Sequence, residues 1–211
     1  MGEERPLRAG VVEGARALLW ACLAIALLVP WPKAQASLSF PGQGPHAVWR
    51  AVRHQAHGIV QGNGPRDLYI FVDPNCPFCH TLFEQLQPLI GPRHLRVHWI
   101  VTGFLHASSP GKAVAILGAS RPLQALRRNE ADFRRGRLHG GGIAPVPVRG
   151  RWARAVAINN RVLELTGPEL VPTLVYRNRA GAIIVHEGVP MKPHGLLWTI
   201  RAISMKARPV P

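Results

Sequence analysis

The chain has 211 residues, 47% of them hydrophobic, with 26 Lys and Arg against 11 Asp and Glu for a net charge of +15. The apolar content excludes a disordered chain, and three cysteines in this length exclude a disulfide-stapled mini-fold. The basic surplus attracts anionic surfaces, but its densest group, Arg121, Arg127, Arg128, Arg134, Arg135 and Arg137, has neither interleaved aromatics nor a nucleic-acid motif, so no nucleic-acid partner is expected.

At the N-terminus, Arg5, Arg8 and Arg16 precede an uncharged apolar run from Ala17 to Val29. Pro30 and Pro32 break the run, and Ala34-Gln35-Ala36 is a small-x-small site. This order predicts a secretory signal peptide over 1–36, cleaved after Ala36, and hence an exported protein. The run is shorter than the roughly 20 apolar residues of a membrane span; the alternative is an uncleaved N-terminal membrane anchor. Cys22 lies in the run and leaves with the leader, so Cys76 and Cys79 are the cysteines of a one-domain mature chain.

Residues 37–65 read as a linker and short N-terminal segment. Within them Ala47 to His57 fits a short helix, and Gly62-Asn63-Gly64-Pro65 is a turn. Leu68 to Val72 is a continuous apolar run bounded by turn residues, the pattern of a strand buried on both faces. Asp73-Pro74-Asn75 breaks it, and Phe78, Leu82, Phe83, Leu86, Leu89 and Ile90 then recur at helical spacing. Asn75 is the expected N-cap, with Pro77 in the first turn. Leu95 to Val101 reads as a second strand. Helical segments follow over Lys112 to Ala119, Leu123 to Phe133 and Arg151 to Leu165, interrupted by Gly140-Gly141-Gly142 and Pro145-Val146-Pro147. Leu174 to Tyr176 and Ile183 to Val185 are strands joined by a hairpin-type turn, Asn178 to Gly181. Leu196 to Ile203 closes as an amphipathic helix. The strand–helix–strand start implies a parallel pair with a crossover helix.

Cys76-Pro77-Phe78-Cys79 falls where the first of these strands hands over to a helix. Free backbone N–H groups and the positive end of the helix dipole stabilise a thiolate there. Cys79, almost one turn on, can attack a mixed disulfide formed by Cys76. Cys76 is therefore expected as the exposed nucleophile and Cys79 as the deeper resolving thiol, with Pro77, Phe78 and His80 as motif or tuning positions. The same letters with His80 spell CxxCH, a c-type haem attachment signature. That reading needs a second axial ligand, for which Met191 and Met205 are the candidates. His94 and His98 are four apart but lie in a strand-like region, and structural zinc wants four ligands, so no metal is expected.

Phe71 to Cys79 resembles the active-site segment of the periplasmic DsbC/DsbG-type proteins. Gly103-Phe104-Leu105 with Ser109, Lys112 to Leu117, Asn159-Asn160, and Pro172 to Tyr176 with Gly181 resemble DsbG further, covering about residues 66–204. The resemblance implies an α/β thioredoxin fold with a helical insertion between the βαβ and ββα halves. The thioredoxin-like domain is then 66–206, its insertion 108–166 and the tail 207–211. It implies a substrate-binding cis-proline loop at Val171, Pro172 and Thr173, and no cofactor beyond the Cys76–Cys79 disulfide. The implied function is disulfide interchange on exported proteins with cysteines, as a reductase, isomerase or oxidase. The implied redox partner is a membrane protein, a DsbD-like reductant or a DsbB-like oxidant. The alternatives are a c-type haem protein and a non-catalytic envelope peptide-binding module.

Three departures from that pattern stand out. Too few residues precede Leu68 for the family's dimerisation domain, so a monomer is expected. Val171 stands where those isomerases have Thr, as in the oxidase DsbA. Ile70 occupies the place of the buried acid six residues before the first cysteine.

Overall fold

The structure is a computed structural model that describes residues 44–134, 140–190, 192 and 194–205. The expected leader 1–36 with its expected cleavage site, Arg135, Arg137, Met191, residue 206 and the expected tail 207–211 lie outside the described residues. Among the described residues, no helix is long and apolar enough to cross a membrane.

In chain order the elements are α1 (Pro45–His54), β1 (Gly58–Gln61), β2 (Arg66–Val72), α2 (Pro77–Leu86) running into a 3₁₀ turn (Gln87–Leu89), and β3 (Leu95–Val101). Then follow α3 (Ser109–Gly118), α4 (Pro122–Ala131), α5 (Gly150–Glu164), β4 (Thr173–Arg177), β5 (Ile183–Glu187) and α6 (Gly195–Ala202). The strands form one sheet in the order β1-β3-β2-β4-β5. β2 and β3 are parallel from Arg66↔Leu95 to Val72↔Val101, with α2 as their crossover, and the other pairings are antiparallel. The fold class is the α/β thioredoxin type, with α3, α4 and α5 inserted between the two halves.

The central strand shows why the apolar run is continuous. Successive side chains of a strand point to opposite faces. Leu68, Ile70 and Val72 pack with Leu82, Phe83 and Leu86 of α2 and Leu196 and Ile200 of α6. Tyr69 and Phe71 pack on the other face with Val48, Trp49 and Val52 of α1 and Val162 and Leu163 of α5. Both faces are covered, so no position of β2 beyond Arg66 is polar except the buried Asp67. Trp99 of β3 is fully buried and its indole N–H donates to Gln61 Oε1 at 2.9 Å.

The short helix expected within 37–65 is present, and a strand that was not expected follows it. Residues 45–54 form a core-packed helix, and Gly58–Gln61 adds an edge strand along β3. Among the described residues the packed elements thus include 45–61, upstream of residue 66. Gly58-Ile59-Val60-Gln61 is too short to announce itself as a strand; Ile59 and Gln61 are buried while Val60 stays exposed. Gly62 then turns the chain at φ +82°, packed so closely on Leu95 that no side chain fits.

Candidate active site

The C-terminal end of β2 delivers Asp73 to Cys76 to the head of α2. The expected cap is displaced by one residue. Cys76, not Asn75, is the N-cap, in extended conformation (φ −84°, ψ 115°), with Pro77 at the first helical position. Its sulfur does what a Ser or Asp oxygen does at such a position: the Cys79 N–H donates to Cys76 Sγ at 3.1 Å. Asn75 is free for another task because Asp73 Oδ1 accepts its N–H at 2.9 Å, closing the turn before the helix.

The two thiols differ in environment. The Cys79 thiol, donating to Cys76 Sγ, pulls the Cys76 pKa below the usual thiol value against the opposing effect of burial; the Cys79 and Phe78 N–H groups pull the same way. Burial first, then the hydrogen bond to Cys76 and its charge, push the Cys79 thiol well above that value. Cys76 is thus the more readily ionised sulfur, and Cys79 the one that keeps its proton. Sterically Cys76 is not the exposed group the sequence suggested. Both cysteines are 2% exposed: both belong to the core cluster, and a neighbouring loop meets Cys76 Sγ. The exposed members of the motif are Pro77 and Phe78, the latter at 61%.

That loop is Val171-Pro172-Thr173. Its Val171–Pro172 peptide bond is cis, and the Cys76 thiol donates to the Val171 carbonyl at 3.5 Å. The Thr173 hydroxyl donates to Leu170 O at 2.7 Å, and Gly188 N–H to Pro172 O at 2.7 Å. The loop is thus anchored on the β4–β5 hairpin and on its own preceding turn. Residues 95 positions apart in the chain meet at one sulfur.

Behind the cysteines lies a buried polar network that the sequence did not reveal. Asp73, 1% exposed, accepts from the N–H groups of Asn75, Phe104 and Leu105 and from the Ser109 hydroxyl at 2.7–3.1 Å. It joins the cysteine turn to the loop after β3 and to the start of α3. Asn75 donates to Ser108 and Ser109 and accepts from Lys112 Nζ at 2.8 Å. Lys112 also donates to Gly141 O, and Asn129 Nδ2 to Pro74 O at 3.0 Å. Gly140, at φ +58°, packs on Asn75. Asn159 Nδ2 donates to Val101 O at 2.8 Å and Asn160 Oδ1 accepts the Gly103 N–H at 3.0 Å, fixing α5 to the end of β3.

His80 is 8% exposed, between Glu130 and Glu84, with its ring stacked on Phe133. A c-type haem does not fit these residues. Both cysteines that would carry its thioethers are enclosed, and the imidazole that would ligate iron is already engaged by α4. Candidate ligand Met205 is exposed and lines a depression with Trp49, Arg53 and Arg177. His98 bonds Asp67 at 3.1 Å, while His94 sits in the turn before β3 at φ 53°. Of the basic group, Arg121, Arg127 and Arg128 line one surface depression of about 400 Å³.

One signal for the missed network was present. Leu123, Leu126 and Glu130 share one stripe of α4, so a carboxylate stands where the apolar pattern calls for a hydrophobe. Asp73 gave no such sign, since Asp-Pro-Asn reads equally well as an ordinary turn.

No family model matches the chain. The thiol:disulfide interchange protein DsbG of Pseudomonas aeruginosa is 28% identical over 145 residues, which are 68% of this chain and 55% of that protein. DsbG of Escherichia coli is 23% identical over 145 residues, 68% of this chain and 56% of its own. The chain spans little more than half the length of these relatives. Among solved structures, a linker-deletion mutant of Proteus mirabilis ScsC has a TM-score of 0.59 at 15% identity, covering 94% of this chain and 97% of that one. A periplasmic thioredoxin-like protein from Salmonella enterica serovar Typhimurium has 0.55 at 18% identity, covering 73% and 93%. The chain is DsbG-like in sequence and thioredoxin-like in fold.

Proposed function

We propose that the protein is a thiol–disulfide oxidoreductase of the periplasm, working through Cys76 and Cys79 on exported proteins that carry cysteines. The observation that carries this reading is the asymmetry of the pair: a helix-capping sulfur with a lowered pKa beside the Val171 carbonyl, and a buried thiol with a raised pKa one turn behind.

In the reductive direction the Cys76 thiolate attacks one sulfur of a substrate disulfide. A Cys76–substrate bond forms, the substrate S–S bond breaks, and the other substrate sulfur leaves as a thiolate that takes up a proton. Cys79 then loses its proton and attacks Cys76 Sγ. The Cys76–Cys79 disulfide forms, the first substrate sulfur is released, and two electrons have passed to the substrate. Read backwards, the same steps oxidise a dithiol. A membrane thiol–disulfide partner, DsbD-like or DsbB-like, resets the pair. Val171, Pro172 and Thr173 supply the backbone edge against which a substrate strand lies. Phe78, exposed on one side of the pair, offers it an apolar contact.

The test is to replace Cys79 by Ala. The variant retains a mixed disulfide with envelope proteins through Cys76, seen on non-reducing gels and abolished by adding Cys76→Ser. A Cys79→Ala protein that stays folded and traps nothing refutes the reading.

A further inference from the structure

The residue that follows the cysteine pair has no part in the steps above. The His80 N–H donates to the Cys76 carbonyl at 3.1 Å, so its side chain stands four positions beyond the capping sulfur. Cys76 caps α2 and His80 lies in its first turn, so sulfur and ring belong to the same end of the helix. The imidazole is held on three sides. Phe133 stacks on it with centroids 4.4 Å apart and planes 8° from parallel. Glu130 Oε2 lies 3.1 Å from Nδ1, and Glu84 Oε2 lies 3.4 Å from Nε2. Glu130 is 6% exposed, on α4, and its second oxygen accepts from Asn129 Nδ2 at 3.0 Å. That amide also donates to Pro74 O, within the cysteine turn.

A buried carboxyl and an imidazole in contact titrate as a pair. Burial raises the Glu130 pKa to about 7, and the Glu84 charge pushes it the same way, so this carboxyl changes charge near neutrality. The Asn129 N–H bond favours the ionised carboxyl, and the solvent-exposed Glu84 carboxylate favours a charged ring. Each favours the ion-paired form, with the proton on the ring, against the effect of burial on Glu130. The groups facing the imidazole include Glu84 from its own helix and Glu130 and Phe133 from the insertion, with Cys76 at the cap of the same helix.

We propose that Glu130 is a positioning residue for the redox pair: it holds His80 as an imidazolium on the first turn of α2, and that fixed cation favours the Cys76 thiolate. The insertion thereby takes part in the chemistry, through a side chain that touches neither sulfur. This rests on Cys76 being the attacking thiol.

The experiment uses the reduced full chain as wild type, Glu130→Gln, His80→Gln and the double variant. Cys76 is titrated by ultraviolet thiolate absorbance and by its alkylation rate with iodoacetamide, and the His80 ring by NMR. In wild type the ring is protonated at neutral pH. Glu130→Gln lowers the ring pKa and raises the Cys76 pKa by about 0.5–1 unit, slowing alkylation below that pKa about 3- to 10-fold. His80→Gln gives the same Cys76 shift, and the double variant adds nothing to it. If Glu130→Gln does not fold, His80→Gln alone decides the matter through the thiol titration. A ring that is neutral in wild type at neutral pH, or a folded variant whose Cys76 titrates as in wild type, overturns the inference while leaving the proposed function standing. A wild-type Cys76 titrating as an ordinary thiol near about 8.5 overturns both.

Discussion

Replacing Asp73 by Ala should unfold the active site from behind without touching either sulfur. The carboxylate is the acceptor for three backbone N–H groups, of Asn75, Phe104 and Leu105, and for the Ser109 hydroxyl. A buried donor left without an acceptor costs about 1–3 kcal/mol. The Ser109 hydroxyl can turn to another partner, and water can reach Phe104 and Leu105 in part, so the sum falls at about 3–6 kcal/mol. For a domain of this size each kcal/mol is about 2–4 °C in Tm, giving a loss on the order of 10–20 °C. Asp73→Asn retains one acceptor oxygen but turns an amide N–H₂ toward the same donors, so it recovers less than half. Thermal and urea unfolding of the reduced protein measure the loss, and hydrogen exchange locates it at the Phe104 and Leu105 amides. A loss below about 1 kcal/mol with both amides still protected would refute the claim that this carboxylate holds three segments together.

Thiol ionisation gives the reduced protein a stability profile of known sign. The lowered Cys76 pKa contributes stability that is present above the unfolded thiol value of about 8.5 and disappears as pH falls through the folded value; the raised Cys79 pKa works oppositely above about 8.5. The difference in stability between wild type and Cys76→Ser, followed by urea titration, should therefore grow from acid pH toward that value, and a flat difference would contradict the lowered pKa. Gly140→Ala puts a Cβ into Asn75 at a positive φ; we expect a loss of about 2–4 kcal/mol, against which a change within about 0.5 kcal/mol would count. Phe78→Ala removes an exposed ring and should leave stability within about 0.5 kcal/mol. It should slow exchange with a peptide disulfide but not with a small disulfide reagent, and equal effects on both would remove Phe78 from substrate contact.

What could be read from the letters was what local pattern encodes. Leu68 to Val72 announced a strand buried on both faces because both faces carry hydrophobes. The helix after Cys76 declared itself by its apolar spacing. β1 escaped because four residues cannot show a period, and it exists only through its pairing with β3. The cap was misplaced by one position because thiols are seldom counted among capping side chains, whereas here Cys76 Sγ accepts the Cys79 N–H. The polar network was illegible for a different reason. Asp73, Asn75, Lys112, Asn129 and Gly141 come from four separate segments, and a buried hydrogen bond between distant residues leaves no periodic trace. The enclosure of Cys76 was hidden likewise, since it depends on a carbonyl from another strand's entry loop.

The pairing of β2 with β4 joins Tyr69 to Val175 and Phe71 to Thr173, across the whole inserted helical segment. Contacts so distant in sequence close late when a chain folds, because the loop entropy must be met first. While β4 is still unpaired, the Val171 carbonyl is not yet in place against Cys76 Sγ. Under the function proposed above, that wait is the interval in which the chain's own cysteines are open to the oxidants of the compartment it would serve.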